Sequence, residues 1–234
     1  MRKVQLLAQL QRVDSAIDHD RGRLATVELQ LADNSALAAA EAEHTATTAV
    51  RTQQQTELRD LELEVQDLRS RLTALEKKLY GGTVVNPKEL AAMTDDARQY
   101  RNQISPREDR ILELYDLVDA AVTAQAEADK QLTAARAADE DRKRQLHDEE
   151  AALQRRLAAA EQERDTLRRE ADPQALRLYD SLRRTKGGLA VAEVAQRTCQ
   201  GCRVSVPANL EARARTSDEL VLCQSCGRIL HAGV

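Results

Sequence analysis

Apolar residues recur every three or four positions along most of this chain, the spacing of an apolar stripe on an α-helix. One stripe runs from Leu6 to Leu31 and a second from Leu58 to Leu79, separated by a segment rich in alanine and threonine. Leu10 and Leu58 lie 48 residues apart, one residue short of seven heptads, so the two stripes are out of phase. The pattern predicts one long helical arm up to Tyr80 that changes its winding in the middle.

A glycine pair ends this arm, and a second arm of similar length follows it. Gly81 and Gly82 are typical helix terminators, while Asn86 and Pro87 have the chemistry of an N-cap and a first helical residue. The second arm is predicted to run to about Ala171, with a kink or restart at Ser105-Pro106. Two matched arms joined by a short turn predict an antiparallel helical hairpin.

The segment after the second arm has shorter predicted elements: one short helix, a glycine pair and several β-prone runs. Asp172-Pro173 reads as a third helix start, and Gly187-Gly188 as a hinge. One helical turn is expected between Pro207 and Ala214. The β-prone runs that surround the cysteines are Leu189 to Val194, Glu219 to Leu222 and Arg228 to His231.

All four cysteines of the chain lie in two C-x-x-C pairs near its C-terminus. This spacing lets a tight turn direct two thiolates at one point, and two such turns complete a tetrahedral site for one structural zinc ion. Disulfides and a thioredoxin-like redox site are the alternatives, but the first suits secreted chains and the second needs a single pair in a βαβ unit. Gly201 and Gly227 are expected to supply positive φ angles in the turns. The predicted zinc ligands are Cys199, Cys202, Cys223 and Cys226.

Composition narrows the fold and function classes. The chain is 32% charged and 2% aromatic, without Phe or Trp, so a large globular core is excluded and long helices are favoured. We find no nucleophile–base pair, phosphate loop or second metal cluster, so no enzyme is expected.

No apolar run reaches the length of a membrane span, and no signal-peptide core follows the N-terminus. A cytoplasmic protein is therefore expected.

Charge is distributed unevenly along the chain. The formal net charge is −4, whereas the segment from Arg177 to the end has nine Lys/Arg and five Asp/Glu. Arginine binds phosphates with paired donors, so this segment is a candidate nucleic-acid surface; a merely solvated surface is the alternative. The ribbon has no aromatic residue for base stacking, which weighs against the first reading. The candidate nucleic-acid-binding residues are Arg183, Arg184, Lys186, Arg197, Arg203, Arg213, Arg215 and Arg228.

The turn between the arms is the candidate protein-binding site. Apolar residues at the end of a helical hairpin often contact a partner, although they can equally cap the end of the coil. The candidate protein-binding residues are Tyr80, Val84, Val85 and Lys88.

These motifs together resemble the bacterial coiled-coil hairpin family with a C-terminal four-cysteine zinc ribbon, a domain of unknown function. The matching segments are Tyr80–Leu90, Glu113-Leu114, Cys199–Cys202 and Cys223–Leu230. The resemblance covers nearly the whole chain and implies a helical hairpin, a ribbon, bound zinc and no known catalysis. Some members resemble flagellar regulators or chaperones that bind an alternative sigma factor or a flagellin message, and others contact secretion components.

The predicted fold is mainly α, a long antiparallel coiled-coil hairpin plus a small β zinc-ribbon domain. The hairpin is assigned to residues 1–172 with its tip at 80–88, the connecting helix and hinge to 173–188, and the ribbon to 189–234. The predicted function is a non-enzymatic adaptor that binds nucleic acid through the ribbon and a protein through the coil. The alternative is a protein-only scaffold or chaperone whose ribbon docks protein. Neither a membrane nor a small-molecule substrate is expected as a partner, and the chain is expected to be a monomer or weak homodimer.

Overall fold

A computed structural model describes residues 2–82 and 84–232. Thr83, inside the predicted tip, and the last two residues of the predicted ribbon lie outside this range. The described chain is mainly helical, with a helical hairpin and a small sheet near the C-terminus, which confirms the predicted fold class. Its helices are α1 (Lys3–Ala32), α2 (Ser35–Tyr80), α3 (Pro87–Glu170), α4 (Pro173–Thr185) and α5 (Ala208–Thr216), and its strands are β1 (Val191–Ala195), β2 (Thr198–Cys199) and β3 (Ile229–Ala232).

The first arm is two helices, so the prediction of one continuous helix is wrong. Asp33 has an extended backbone with φ −75° and ψ 116°, and α2 restarts after Asn34, whose carbonyl accepts the amide of Ala38 at 2.9 Å. The sequence Asp33-Asn34-Ser35 explains the interruption, because these short polar side chains compete with the helix for backbone hydrogen bonds.

The second arm is one helix, so of the kink or restart predicted at Ser105-Pro106 the restart is wrong, and the kink stays a prediction. Pro106 lies inside α3, where it cannot donate a hydrogen bond to the carbonyl of Asn102. Both Pro106 and Asn102 are exposed, so the carbonyl without a donor lies at the surface, where water satisfies it. Surface exposure therefore makes the proline tolerable inside the helix.

Two of the predicted helix starts are confirmed. The Asn86 side chain accepts the Lys88 amide at 3.0 Å ahead of α3, and Asp172 accepts the amides of Gln174 and Ala175 at 3.1 and 2.9 Å ahead of α4. The Ala175 amide is the main cause that lowers the pKa of Asp172, because it stabilises the carboxylate.

The described residues divide into two compact units. The ribbon unit contains the chain up to Asp33 and from Lys143 onward, and the tip unit contains the chain from Asn34 to Arg142. In the ribbon unit, α1 packs against the last part of α3 and against α4 in one apolar cluster. Its largest fully buried members are Leu7, Leu10, Ile17, Tyr179 and Ile229.

In the tip unit, α2 and α3 pair antiparallel. Residue numbers of cross-helix partners fall along α2 as they rise along α3, from Glu76–Arg101 through Arg69–Glu108 to Glu41–Arg136. These ion pairs lie at the helix surface, where each contributes about 0–1 kcal/mol, so they set the register more than the stability.

The ribbon is built on a three-stranded sheet with strand order β2-β1-β3. Strands β1 and β3 are parallel, with Val191 opposite Ile229, and β1 and β2 are antiparallel, with Val194 opposite Cys199. The run from Glu219 to Leu222 is not a strand, because only Leu222 forms a bridge, to Ile229. The expected single turn near Pro207 is the nine-residue helix α5.

Within the described residues, no helix has the length and apolar character needed to cross a membrane.

Candidate metal centre and its surroundings

The four cysteine sulfurs converge on one point. Their Sγ atoms all lie within 4.8 Å of one another, with Cys199–Cys226 at 3.9 Å and Cys202–Cys223 at 3.8 Å. A tetrahedral zinc ion with Zn–S bonds of about 2.3 Å requires sulfurs about 3.8 Å apart. The donor set therefore fits one zinc ion, and because all four positions are thiolates, the site is structural.

Each C-x-x-C turn closes through a hydrogen bond to the carbonyl of its first cysteine. Arg203 donates its amide to Cys199 at 2.7 Å, and Gly227 donates its amide to Cys223 at 2.9 Å. These two residues follow the second cysteine of each pair and are left-handed, with φ of 60° and 73°. The expected positive φ is found at Gly227, whereas in the first turn it belongs to Arg203 and not to Gly201.

Gly201 is required for space. A Cβ at this position would lie 2.7 Å from Cδ of Arg228 and 3.0 Å from Cβ of Ala192. Both distances are closer than ordinary packing allows, so the glycine lets the Arg228 side chain cross the first turn.

The thiols differ in acidity because their surroundings differ. Burial raises the pKa of Cys199 to about 12. Burial also acts to raise the pKa of Cys226, but hydrogen bonds from the Arg228 backbone and side chain favour its thiolate and lower the pKa to about 6. A zinc ion binds thiolates and displaces the protons, so Arg228 favours the metal-binding state of Cys226.

Arg228 ties both zinc turns to the end of α4. Its guanidinium donates to the carbonyls of Leu189 at 2.8 Å, Lys186 at 3.0 Å and Gly201 at 3.1 Å. These bonds satisfy three partly buried carbonyl groups with one charged donor. Arg228 is thereby committed to the fold of the ribbon.

Gln11 of α1 anchors the start of the ribbon. Its side-chain oxygen accepts the amides of Ala190 and Val191 at 2.7 and 3.3 Å, and its nitrogen donates to the Gly188 carbonyl at 2.8 Å. Gln11 is 6% exposed, so water has little access to the backbone groups that it binds. The predicted Gly187-Gly188 hinge is therefore fastened to α1 by its own carbonyl.

A buried acid on α1 holds α4. Tyr179 is fully buried and donates its hydroxyl to Asp14 at 2.6 Å, while Arg183 pairs with Asp14 at 3.5 Å and with Asp18 at 2.6 Å. Burial, followed by the neighbouring Asp14, raises the pKa of the Tyr179 hydroxyl. Farther along α1, Asp20 is 4% exposed and pairs with Arg156 of α3.

The predicted nucleic-acid residues fall into three groups. Arg183 and Arg228 are bound to other parts of the fold, as described above. Arg215 pairs with Glu211 at 3.2 Å along α5, and Arg213 lies 3.9 Å from Glu219. In the part of the chain that the structure describes, no ion pair is found for the remaining four, Arg184, Lys186, Arg197 and Arg203.

The predicted protein-binding residues lie together at the tip. Tyr80 is 76% exposed and Val85 83% exposed, and Lys88 is also exposed. Val84 is half-buried.

Gln11 and Asp14 are functional residues that the sequence patterns did not predict. Together with Asp18 they recur at helical spacing, three and four residues apart, beside the apolar positions of α1. Such a polar stripe indicates a helix face that contacts polar groups. The pattern does not identify those groups, which are more than 160 residues away in the sequence.

Comparison with known proteins matches both parts of the chain. A family model described as a CT398-like coiled coil hairpin domain matches residues 7–187, and one described as a C4-type zinc ribbon domain matches residues 198–230. No curated protein shows significant sequence similarity to the chain.

Solved structures share the fold at low sequence identity. CT398 from Chlamydia trachomatis superposes with a TM-score of 0.69 at 16% identity, covering 98% of this chain and 94% of that protein. A Mycobacterium smegmatis protein gives 0.65 at 19% identity, with 98% and 99% coverage. The HP0958 protein of Helicobacter pylori gives 0.51 at 17% identity, with 98% and 97% coverage.

Proposed function

Because the chain belongs to the family of CT398-like coiled-coil hairpin proteins, we propose that it is a non-enzymatic adaptor that binds a protein partner through its tip unit. In this proposal the zinc ribbon is a structural module. The protein acts in the reducing cytoplasm, where thiols stay available for zinc.

The distribution of exposed apolar side chains carries this proposal. Among the described residues eleven large apolar side chains are exposed, and eight of them lie in the tip unit. Exposed apolar side chains concentrated in one unit favour protein binding there, because water contact with them is unfavourable until a partner covers them. The eight are Val50, Leu63, Tyr80, Val85, Leu112, Tyr115, Leu117 and Val122.

Site-specific crosslinking in cells tests the proposal. A photo-reactive residue at Val85 of the full-length protein should trap a defined protein partner. Leu29 is the matched control, since it is a similarly exposed apolar residue, at 74%, in the ribbon unit. The partner should be absent from the Leu29 sample, and the change Tyr80→Ser should reduce its yield from Val85. Equal background trapping at both positions would refute the proposal.

A second candidate function is nucleic-acid binding by the ribbon. Arg197 and Arg203 support it: both are exposed, both have a left-handed backbone, with φ of 57° and 60°, and they flank the first zinc turn. Two guanidinium groups without carboxylate partners among the described residues can donate hydrogen bonds to phosphate oxygens, with affinity that falls as salt rises.

Fluorescence anisotropy with generic RNA and single-stranded DNA tests this second candidate. The zinc-loaded protein should bind with a linear log–log salt dependence, and the double variant Arg197→Gln/Arg203→Gln should lower its slope. The double variant Arg213→Gln/Arg215→Gln removes the same charge from positions near acids and should have a smaller effect. Absence of binding at low salt, or equal effects of the two variants, would retire this function.

A further inference from the structure

The apolar stripe of α2 is only half covered. Among its described residues α2 buries one side chain, Val65, whereas the shorter α1 buries eight apolar side chains. The leucines of α2 at helical spacing are all half-buried: Leu58, Leu61, Leu68, Leu72, Leu75 and Leu79. In a two-helix coil such a stripe keeps one side open to solvent, and a further helix can pack there.

A long groove lies beside this stripe, and Val65 is the stripe residue of α2 that lines it. It is formed between α2, from Glu62 to Lys77, and α3, from Glu108 to Tyr115, entirely within the tip unit, and it encloses about 920 Å³. Its α2 wall repeats every three or four residues through four turns, so it extends about 22 Å along the helix. We call this feature the α2/α3 groove; its length and straight walls match a partner helix of about four to five turns.

The centre of the α2/α3 groove is apolar. Val65 and the half-buried Ile111 form its floor, and Leu112 stands at its rim with 65% of its surface exposed. The hydroxyl groups that line it are occupied, since Ser70 and Thr73 donate to carbonyls of their own helix at 2.9 and 2.8 Å. The centre therefore suits apolar side chains and makes little demand for polar ones.

One charge of each sign in the groove has no oppositely charged partner among the described residues. Arg69 pairs with Glu108 at 2.6 Å, whereas the Glu62 carboxylate accepts only the neutral Tyr115 hydroxyl, at 2.5 Å. The Lys77 side chain, at the end nearest the tip, has no ion pair in the described part of the chain. The charges that remain for a partner are therefore negative at Glu62 and positive at Lys77, at opposite ends of the groove.

We propose that the α2/α3 groove binds an amphipathic helix of a partner protein, with its apolar face on Val65, Ile111 and Leu112 and an acidic residue at Lys77. This inference rests on the proposed adaptor function and specifies the surface and the partner chemistry. Leucine or alanine side chains would fill the apolar centre, and a carboxylate at one end of the helix would form an ion pair with Lys77.

Binding of a designed peptide to the full-length, zinc-loaded protein tests the proposal. The probe is a side-chain-bridged helix of about 18 residues, with leucine and alanine along one face and glutamates in one terminal turn. Its twin has glutamines in place of the glutamates, because lysines at that end could pair with Glu62 if the helix bound in the opposite direction. We expect the acidic peptide to bind at least tenfold more tightly than the twin in fluorescence anisotropy.

Two pairs of variants locate the site. Leu112→Ser and Lys77→Glu should each weaken the acidic peptide about tenfold, and Lys77→Glu should leave binding of the glutamine twin within about twofold. Leu117→Ser changes another exposed leucine of α3, and Lys78→Glu the neighbouring lysine of α2; neither lines the groove, so both should stay within about twofold of the wild type. All four changes are at exposed positions, so folding should be retained, and circular dichroism checks this.

The contrary outcomes are distinct. Equal affinity for both peptides, equal effects within a variant pair, or no binding would overturn the groove assignment. A wild-type dimer that Leu112→Ser converts to a monomer would assign the groove to a second copy of this chain and also overturn it. A partner trapped at Val85 without peptide binding would leave the adaptor function standing and remove only the groove. Peptide binding without any trapped partner would count against the adaptor function alone.

Discussion

Gly201 and Ser225 occupy the same place in the two C-x-x-C turns but have different surroundings. Gly201 lies under the Arg228 side chain, with no room for a Cβ, whereas Ser225 is exposed. The two turns are therefore equivalent in their bonding to zinc and unequal in their packing.

The change Gly201→Ala should destabilise the ribbon by about 1–3 kcal/mol, because the new methyl group displaces Arg228 from its three carbonyl acceptors. Ser225→Ala is the matched control and should change stability by less than about 0.5 kcal/mol. Chelator-induced zinc release measures the effect, and it should be faster only in Gly201→Ala. Identical release rates in the two variants would show that the Arg228 crossing is unimportant.

At the scale of elements, α4 and the first strand both pack against α1. Its apolar stripe packs against Leu167 and Tyr179, and its polar stripe provides Gln11 and Asp14. The two stripes of one helix thus hold the same elements, α4 and the first strand, by burial of apolar surface and by hydrogen bonds together.

Replacing Gln11 by Ala should loosen the ribbon from α1, because the Ala190 and Val191 amides and the Gly188 carbonyl lose a buried partner. A stability loss of about 3 kcal/mol is expected from these unsatisfied groups. Amide hydrogen exchange of Ala190 and Val191 should accelerate. Gln9→Ala removes an exposed glutamine from the same helix and should leave exchange unchanged. Unchanged exchange in Gln11→Ala would mean that packing alone holds the ribbon.

For the whole molecule, zinc supports the ribbon and not the long helices. The ribbon core consists of small and medium side chains, among them Val194, Val206 and Leu210, and is too small to fold without the metal. The helices of the tip unit have their own packing and their own cross-helix ion pairs, such as Arg69–Glu108 and Arg101–Glu76.

Chelation of zinc should therefore collapse the NMR dispersion of the ribbon amides while most of the helical circular dichroism remains. Cys223→Ser should produce the same state even with zinc present. Zinc added back should restore the wild-type ribbon, whereas the Cys223→Ser protein should not recover. Ribbon signals that survive chelation unchanged would show that the fold does not depend on the metal.

Local sequence signals determined the helical class, the turn at Gly81-Gly82, the caps at Asn86 and Asp172, and the four zinc ligands. Each of these depends on residues a few positions apart: apolar periodicity, capping chemistry and C-x-x-C spacing act within one or two turns of the chain. Local signals were misleading at Pro106, because tolerance of a proline depends on whether the affected carbonyl reaches the surface.

Only the tertiary structure decided the roles of individual arginines and of the polar residues on α1. Arg183 and Arg228 read as free positive charges in sequence, yet Asp14 and Asp18 occupy one and backbone carbonyls occupy the other. The physical reason is that an arginine is available to a ligand only when no group of the protein already binds it, and the groups that bind these two arginines are distant in the chain. The same holds for the α2/α3 groove, because only the paired helices bring Val65 of α2 beside Ile111 and Leu112 of α3.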